Sequence, residues 1–305
     1  MSAPPSTLRL DEADALASAW VQHVADAHGI RTLLIKGAAL AHYGLREPRT
    51  SADVDVLVEP ARFEEFCEAI SAAAWTERPG GLIGELTTLH SRTFLREGWP
   101  CDLDVHSFFP GFLNDPADVF DALWATRRRL DFAHRPCSIP SKAGCALILA
   151  LHSVRSTTTQ VRHADELERL LLTPFTDEDR AAIARLAHDT GCVTSLASVL
   201  PRLHIDVTPG PAELQSVRRR EWDDKLAAAA SPANAWVVAL GRVPWRRKPL
   251  VAWRAIWPTS EDLLIAHPEV PDRFFPKLLA RILRWGRGLR SLPRAAGAIW
   301  HNRSH

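Results

Sequence analysis

The stretch RTSADVDVLV, residues 49–58, sets Asp53 and Asp55 one residue apart at the head of an otherwise apolar run. On a strand, successive side chains point to opposite faces, so the two aspartates share one face and Val54, Val56 and Val58 share the other. The valine face suits a core. The aspartate face holds two carboxylates about 7 Å apart, which repel each other and raise one pKa if nothing pairs with them. A divalent cation relieves that repulsion, because hard oxygen ligands are what Mg²⁺ takes. Taken alone, Asp-x-Asp on a strand is an ordinary solvated face. The surroundings decide the reading.

A second stretch, CDLDVH at 101–106, repeats the pattern: Asp102, Asp104 and His106 alternate with Leu103 and Val105. If the two strands lie side by side, up to four carboxylates converge, with Asp102 and Asp104 on one face and either able to stand opposite the pair. Two-metal phosphoryl chemistry needs such a patch. Upstream, TLLIKG (32–37) reads as a short buried strand ending at a glycine, and AALAHYGL (38–45) as a short helix directly behind it. Gly37 lets the backbone approach a ligand, and the helix start offers free N–H groups to a phosphate. Lys36 and Arg49 add positive charge there. REPRTSA (46–52) reads as a loop.

The combination IKGAALAHYGLREPRTSADVDVLV followed by DLDVHSFF resembles the DNA polymerase beta-like nucleotidyltransferase superfamily. More narrowly, it is similar to the bacterial uncharacterised nucleotidyltransferase family, whose pattern runs Lys-Gly, a short helix, Arg-x-x-x-Asp-hydrophobic-Asp, then Asp-hydrophobic-His. The likeness covers about residues 31 to 109. It implies that Asp53 and Asp55 hold the metals, and that Asp104, preceding Val105-His106, is the third acid and assists deprotonation of the acceptor. It also implies that Lys36, Gly37 and Ala38 form the phosphate loop, with Arg49 in support. The chain has Lys36-Gly37-Ala38 where the broad superfamily has Gly-Ser or Gly-Gly, and Ala52 where a glycine or serine is common. His152 and Asp165 match a His...Asp-Leu pattern in the helical part.

The rest of the chain frames this site. Its 305 residues allow two domains, and 46% hydrophobic with 24% charged residues is the balance of a soluble globular protein. The formal net charge of +1 gives no global field pointing to nucleic acid or membrane. No signal peptide and no membrane span are expected, and five scattered cysteines without a CxxC pair suggest reduced thiols in a cytoplasm. Helices are expected over 8–28 (with Leu10, Leu16, Trp20, Val21 and Val24 inward), 60–74, 116–129, 141–155, 161–172, 177–189, 192–203, 213–229 and 275–291. Strands are expected over 85–96 and 101–109. RVPWRRKP and AIWPTS read as links. His106 is placed to orient an aspartate, to meet substrate, or simply to pack. Trp236, Trp245, Trp253 and Trp257 are expected to pack in a core or between domains. The basic face of Lys277, Arg281, Arg284 and Arg287 is expected to be the solvated side of a packed terminal helix.

The expected fold is α+β: a small mixed β-sheet nucleotidyltransferase domain with flanking helices over 1–112, followed by an all-helical closing domain over 113–305. The expected activity is Mg²⁺-dependent transfer of NMP from an NTP, with ATP as donor and Mn²⁺ as alternative metal. The acceptor is expected to be a hydroxyl of a small molecule or peptide. The alternatives are a tRNA- or protein-modifying toxin-type enzyme, for which nucleic acid is the partner, and an inactive nucleotide-binding scaffold.

Overall fold

A computed structural model describes residues 8–80, 90–155, 161–230, 238–267 and 269–283. Helix α1 (Leu10–His28) starts on acids, Asp11 and Glu12, which suit the positive end of its dipole, and stops at Gly29 in the left-handed region. Its buried face is Ala13, Ala17, Val21 and Val24, at i, i+4, i+8 and i+11. Leu16, expected inside, is 41% exposed, because small alanines rather than leucine let this helix approach its neighbours closely.

Strand β1 (Thr32–Ile35) leads through a sharp turn into α2 (Gly37–His42), and β2 (Asp53–Val58) follows the predicted loop. A 3₁₀ turn at Pro60–Arg62 opens α3 (Phe63–Ala72), which buries Phe63, Phe66, Cys67 and Ile70. Three more strands complete the sheet: β3 (Thr76–Glu77), β4 (Ser91–Leu95) and β5 (Asp102–His106). The order is β1-β2-β5-β4-β3, with β2 and β5 parallel and the other neighbours antiparallel. The sequence suggested β4 and β5 as a pair, and they are one; residues 85–89 of the expected first strand lie outside the described residues.

Behind the sheet come α4 (Pro116–Ala125), α5 (Lys142–Val154), α6 (Val161–Leu172) and α7 (Asp177–Thr190). Thr176 caps α7 as expected, accepting from Asp179 N at 3.1 Å. The helix α5 is apolar almost all round and almost wholly buried, the signature of a central helix.

The region expected to be purely helical departs from that in two places, and two stretches read as links differ as well. A hairpin, β6 (Arg128–Phe132) and β7 (Arg135–Ile139), follows α4 and packs on α1 and β1. Its turn uses Ala133 and His134, both at positive φ, so it carries neither the Asn-Gly nor the Asp-Gly that announces such a turn. Residues 192–203 form turns and a short 3₁₀ segment rather than an α-helix. Mixed three- and four-residue hydrogen bonds run through it, and Pro201 has no N–H to continue a ladder. The links 242–249 and 255–260 are largely helical, giving Lys248–Ile256 with proline in its first turn and Ser260–Ala266 capped by Thr259.

The described residues fall into two compact units: 8–78 with 90–222, and 79–80 with those from 223 onward. Both sides of residue 112 lie in the first unit. In the second, Trp245 and Trp253 are 75% and 61% exposed, so neither is the packed core residue expected; Trp236 lies outside the described residues. Residues 274–283 are helical; Lys277 pairs with Asp272 at 2.6 Å and Arg281 donates to the Pro258 carbonyl at 3.1 Å, while Arg284 and Arg287 lie outside the described residues. Leu279, Ile282 and Leu283 on that helix are exposed rather than packed.

All five cysteines are free and buried. Among the described residues no helix is long and apolar enough to cross a membrane.

Candidate active site

The parallel pairing of β2 with β5 sets Asp53 opposite Asp102 and Asp55 opposite Asp104. Residues opposite one another in register project to the same face, so the four acids occupy one side of the sheet. They do not share one fate. Asp102 turns to Arg78, whose Nη2 lies 2.5 Å from its carboxylate at the sheet's more exposed end. Asp104 accepts a hydrogen bond from Thr93 Oγ1 on β4 at 2.5 Å and keeps company with Asp55 and His106. Ligand atoms of Asp55, Asp104 and His106 all lie within 4.8 Å of one another.

Asp55 is the buried centre of the group, 5% exposed. Burial alone would raise its pKa; the Lys36 ammonium, 2.5 Å from Oδ1, and His106 Nε2, 3.0 Å from the same oxygen, outweigh it and hold the carboxyl at about 2. His106 thus orients an aspartate, one of the roles open to it from sequence. Asp53 lies beside this trio, accepting from Ser51 Oγ at 3.1 Å. Its pKa is raised, first by burial and then by Asp55, which marks it as a carboxylate short of positive charge.

Lys36 reaches Asp55 from an uncommon backbone. Its φ of 63° and ψ of −149° lie in a region left almost wholly to glycine, and Gly37 follows at φ 46°. Strain of this kind persists where the surroundings impose it, and here the ion pair to Asp55 does so. The turn between β1 and α2 is therefore made by a lysine whose side chain is anchored in the acid group.

Arg49 is not among the acids of the sheet. Its Nη2 lies 2.6 Å from Glu166 Oε1 on α6, tying the 46–52 loop to the helices. Ala38 sits in the first turn of α2. His152, matched from sequence, is half-buried and packs against His163, ring centroids 4.5 Å apart. Asp165 is exposed, and the buried acid of α6 is its neighbour Glu166.

Ligand atoms of His152, His163 and Glu166 also gather within 4.8 Å. This second trio does not suit a cation. Arg155 donates to His152 Nδ1 at 3.3 Å, and burial, Lys36 and Arg155 together push that imidazole down to about 2. His163 is likewise lowered, by burial and despite Glu166, with Arg162, Arg155 and Arg49 adding to the effect. Three arginines around a ligand trio repel a metal. The sheet trio, two carboxylates and an imidazole with Asp53 and one lysine beside them, fits one.

Two residues that sequence reasoning missed belong to the neighbourhood. Asp14 of α1 has its pKa raised to about 6 by burial and by the Asp53 charge. Nothing in LDEADALAS separates it from the other acids of that helix start. Arg46 is a buried guanidinium in the loop ahead of β2.

A family model described as uncharacterised nucleotidyltransferase matches residues 21–204, more than half of the chain. The chain belongs to that family. The expected enzyme class, a nucleotidyltransferase, is the family's own, and the mixed α+β architecture agrees with it. No curated protein matches the chain.

Solved structures similar to it include an antigenic nucleotidyltransferase-like protein from Paracoccidioides brasiliensis, at 14% identity and a TM-score of 0.38, covering 65% of this chain and 94% of that one. The antibiotic-resistance factor ANT(2'')-Ia is similar at 13% identity and TM-score 0.40, covering 63% and 96%. The nucleotidyltransferase toxin MenT4 from Mycobacterium tuberculosis H37Rv is similar at 12% and 0.36, covering 79% and 91%. At these values the family assignment rests on the sequence match and not on the structural likenesses.

Proposed function

We propose that this chain transfers NMP from an NTP, with ATP as donor, to a hydroxyl of a small molecule or peptide in an Mg²⁺-dependent reaction. The observation that carries the reading is the β2–β5 register, which brings Asp55 and Asp104 side by side with Asp53 adjacent. Asp53, Asp55 and Asp104 are the residues that would hold Mg²⁺ or Mn²⁺, an all-oxygen carboxylate set of the kind hard cations take. Bound there, a divalent ion would neutralise charge on the phosphates.

The acceptor oxygen would attack the α-phosphorus in line, forming one P–O bond as the bond to pyrophosphate breaks. Asp104 would take the hydroxyl proton. Lys36, Gly37 and Ala38 would cradle the phosphates, with Lys36 leaving Asp55 as the nucleotide enters, and Arg49 would support the loop through Glu166. No Ser or Cys nucleophile is needed, since positioning and charge neutralisation carry such reactions. Residues 1–112 would supply the catalytic sheet. From 113 onward the chain would close over base or acceptor; the part that meets the acids' surroundings is 142–172, through His152, Arg155 and Glu166.

The test is pyrophosphate release from each NTP, with and without Mg²⁺, against a panel of hydroxyl compounds and peptides. Metal-dependent turnover of one NTP that Asp53→Asn abolishes in a folded protein would bear the proposal out. Nucleotide binding without turnover on any acceptor, insensitive to metal, would instead make Lys36 on Asp55 a permanent substitute for the ion.

A further inference from the structure

A buried guanidinium with nothing to hold is costly. Arg46 is 7% exposed, and its Nε and Nη2 have no hydrogen-bond partner among the described residues. Arginine keeps its proton throughout the ordinary pH range, so the fold does not escape the cost by neutralising it. The acids whose charge favours it are Asp14, Asp55 and Glu166. Asp55 is already engaged by Lys36 at 2.5 Å and Glu166 by Arg49 at 2.6 Å. Arg49 and Arg162 oppose it, and burial weighs against its charge more than any of them.

Arg155, the C-cap of α5, is half-buried and likewise lacks a carboxylate partner among the described residues. Its hydrogen bond goes to a neutral imidazole nitrogen of His152 at 3.3 Å, and among the described residues it forms no ion pair. The carboxylate whose charge reaches it is again Asp55. Two guanidinium groups without carboxylate partners therefore flank one buried aspartate.

These observations count against an ordinary structural role, since a buried charge is ordinarily paired. A planar fork with unused donors matches phosphate oxygens, which it holds bidentately. The acids of the sheet want positive charge, and Arg46 and Arg155 want negative charge within the same field. A metal-chelated polyphosphate carries both. We propose that Arg46 and Arg155 hold the phosphates of the nucleotide's polyphosphate tail, an inference that rests on the nucleotidyltransferase reading. Neither residue is identified by the sequence motif, which runs through Arg49.

The test is titration calorimetry of the full chain with inorganic tripolyphosphate, with ATP and with adenosine, each with Mg²⁺. Wild type, Arg46→Gln, Arg46→Lys and Arg155→Gln are compared, and thermal melts are taken without ligand. Each Gln variant is expected to bind tripolyphosphate and ATP about tenfold to a hundredfold more weakly, the range for hydrogen bonds to charged groups. Adenosine binding is expected to stay the same, and Arg46→Lys to recover only part of the loss. The ligand-free Tm of Arg46→Gln is expected to match or exceed that of wild type, because an unpaired buried charge has gone.

Tripolyphosphate affinity unchanged in both Gln variants would overturn the inference. So would a fall in Tm that tracks the loss of binding, since the arginine would then be structural. Tripolyphosphate binding that needs Arg46, with no NTP turned over, would keep the anion site and sink the transferase reading. Turnover and ATP affinity untouched by both Gln variants would do the reverse.

Discussion

The sheet trio Asp55, Asp104 and His106 and the helix trio His152, His163 and Glu166 have the same number of ligand-type groups, gathered to the same 4.8 Å. They differ in their neighbours. Around the first stand Asp53 and Asp14, both with raised pKa, and one lysine. Around the second stand Arg49, Arg155 and Arg162, with both imidazoles driven towards neutrality. Ligand spacing alone therefore does not make a metal site; the surrounding charge decides which sign of guest each cluster takes. The two lie close enough for Lys36 and Asp55 to act on His152, and Asp55 on Arg155.

The comparison breaks most sharply at Asp55. Replacing it by Asn leaves the half-buried Lys36 without its partner, and should cost about 3 kcal/mol of stability in urea unfolding as well as activity. A stability like that of wild type would mean that Lys36 is not held by this ion pair. Asp53→Asn separates catalysis from folding, since Asp53 has no cationic partner within ion-pair distance among the described residues. Pyrophosphate release should fall about 10²–10³-fold, on the scale of losing one charge-stabilising group, with the melting curve kept.

The helix half should reveal itself through pH. His152 titrates near 2 in the folded chain against 6.5 for the free side chain, so the unfolded chain binds the extra proton between those values. Its contribution is complete above about pH 6.5 and declines as pH falls below that, at up to about 1.4 kcal/mol per pH unit. Unfolding free energies at pH 7, 6, 5 and 4 should show a shallower decline in His152→Gln. Equal slopes would mean that the ring is protonated in the fold.

The smallest expected effects lie away from both clusters. Gly191 ends α7 at φ 64°, and a Cβ there would collide with Asn114 Oδ1. Gly191→Ala should cost about 1–2 kcal/mol from the left-handed conformation, plus whatever Asn114 must yield. Thr176→Ala should cost about 1 kcal/mol through the lost cap. Both should leave nucleotide binding as it was.

Much of the fold was legible where the signal is local. The helices at 10–28, 142–154, 161–172 and 177–190 were each expected within two residues of their ends, because periodicity and caps are written over short spans. The hairpin at 128–139 was missed because its turn pays for two positive-φ residues through packing on α1 and β1 rather than through turn chemistry. The Leu16 error has the same source: its spacing fits the buried face, yet the neighbouring elements settle how closely that face is approached.

In the site, the alternation of acids and apolar residues within DVDVLV and CDLDVH follows from the sequence alone, because strand periodicity depends only on the residue number. So does the motif that places this chain among the nucleotidyltransferases. Which acid faces which is a matter of register between strands 49 residues apart, Asp55 against Asp104, and no local pattern encodes it. The same holds for the distinction between Asp102 and Asp104, made by Arg78 on one side and Thr93 on the other. Nothing local in the sequence singles out Arg46, Asp14 or Glu166. Only the folded chain removes them from water, and desolvation is what gives a charge its need for a partner.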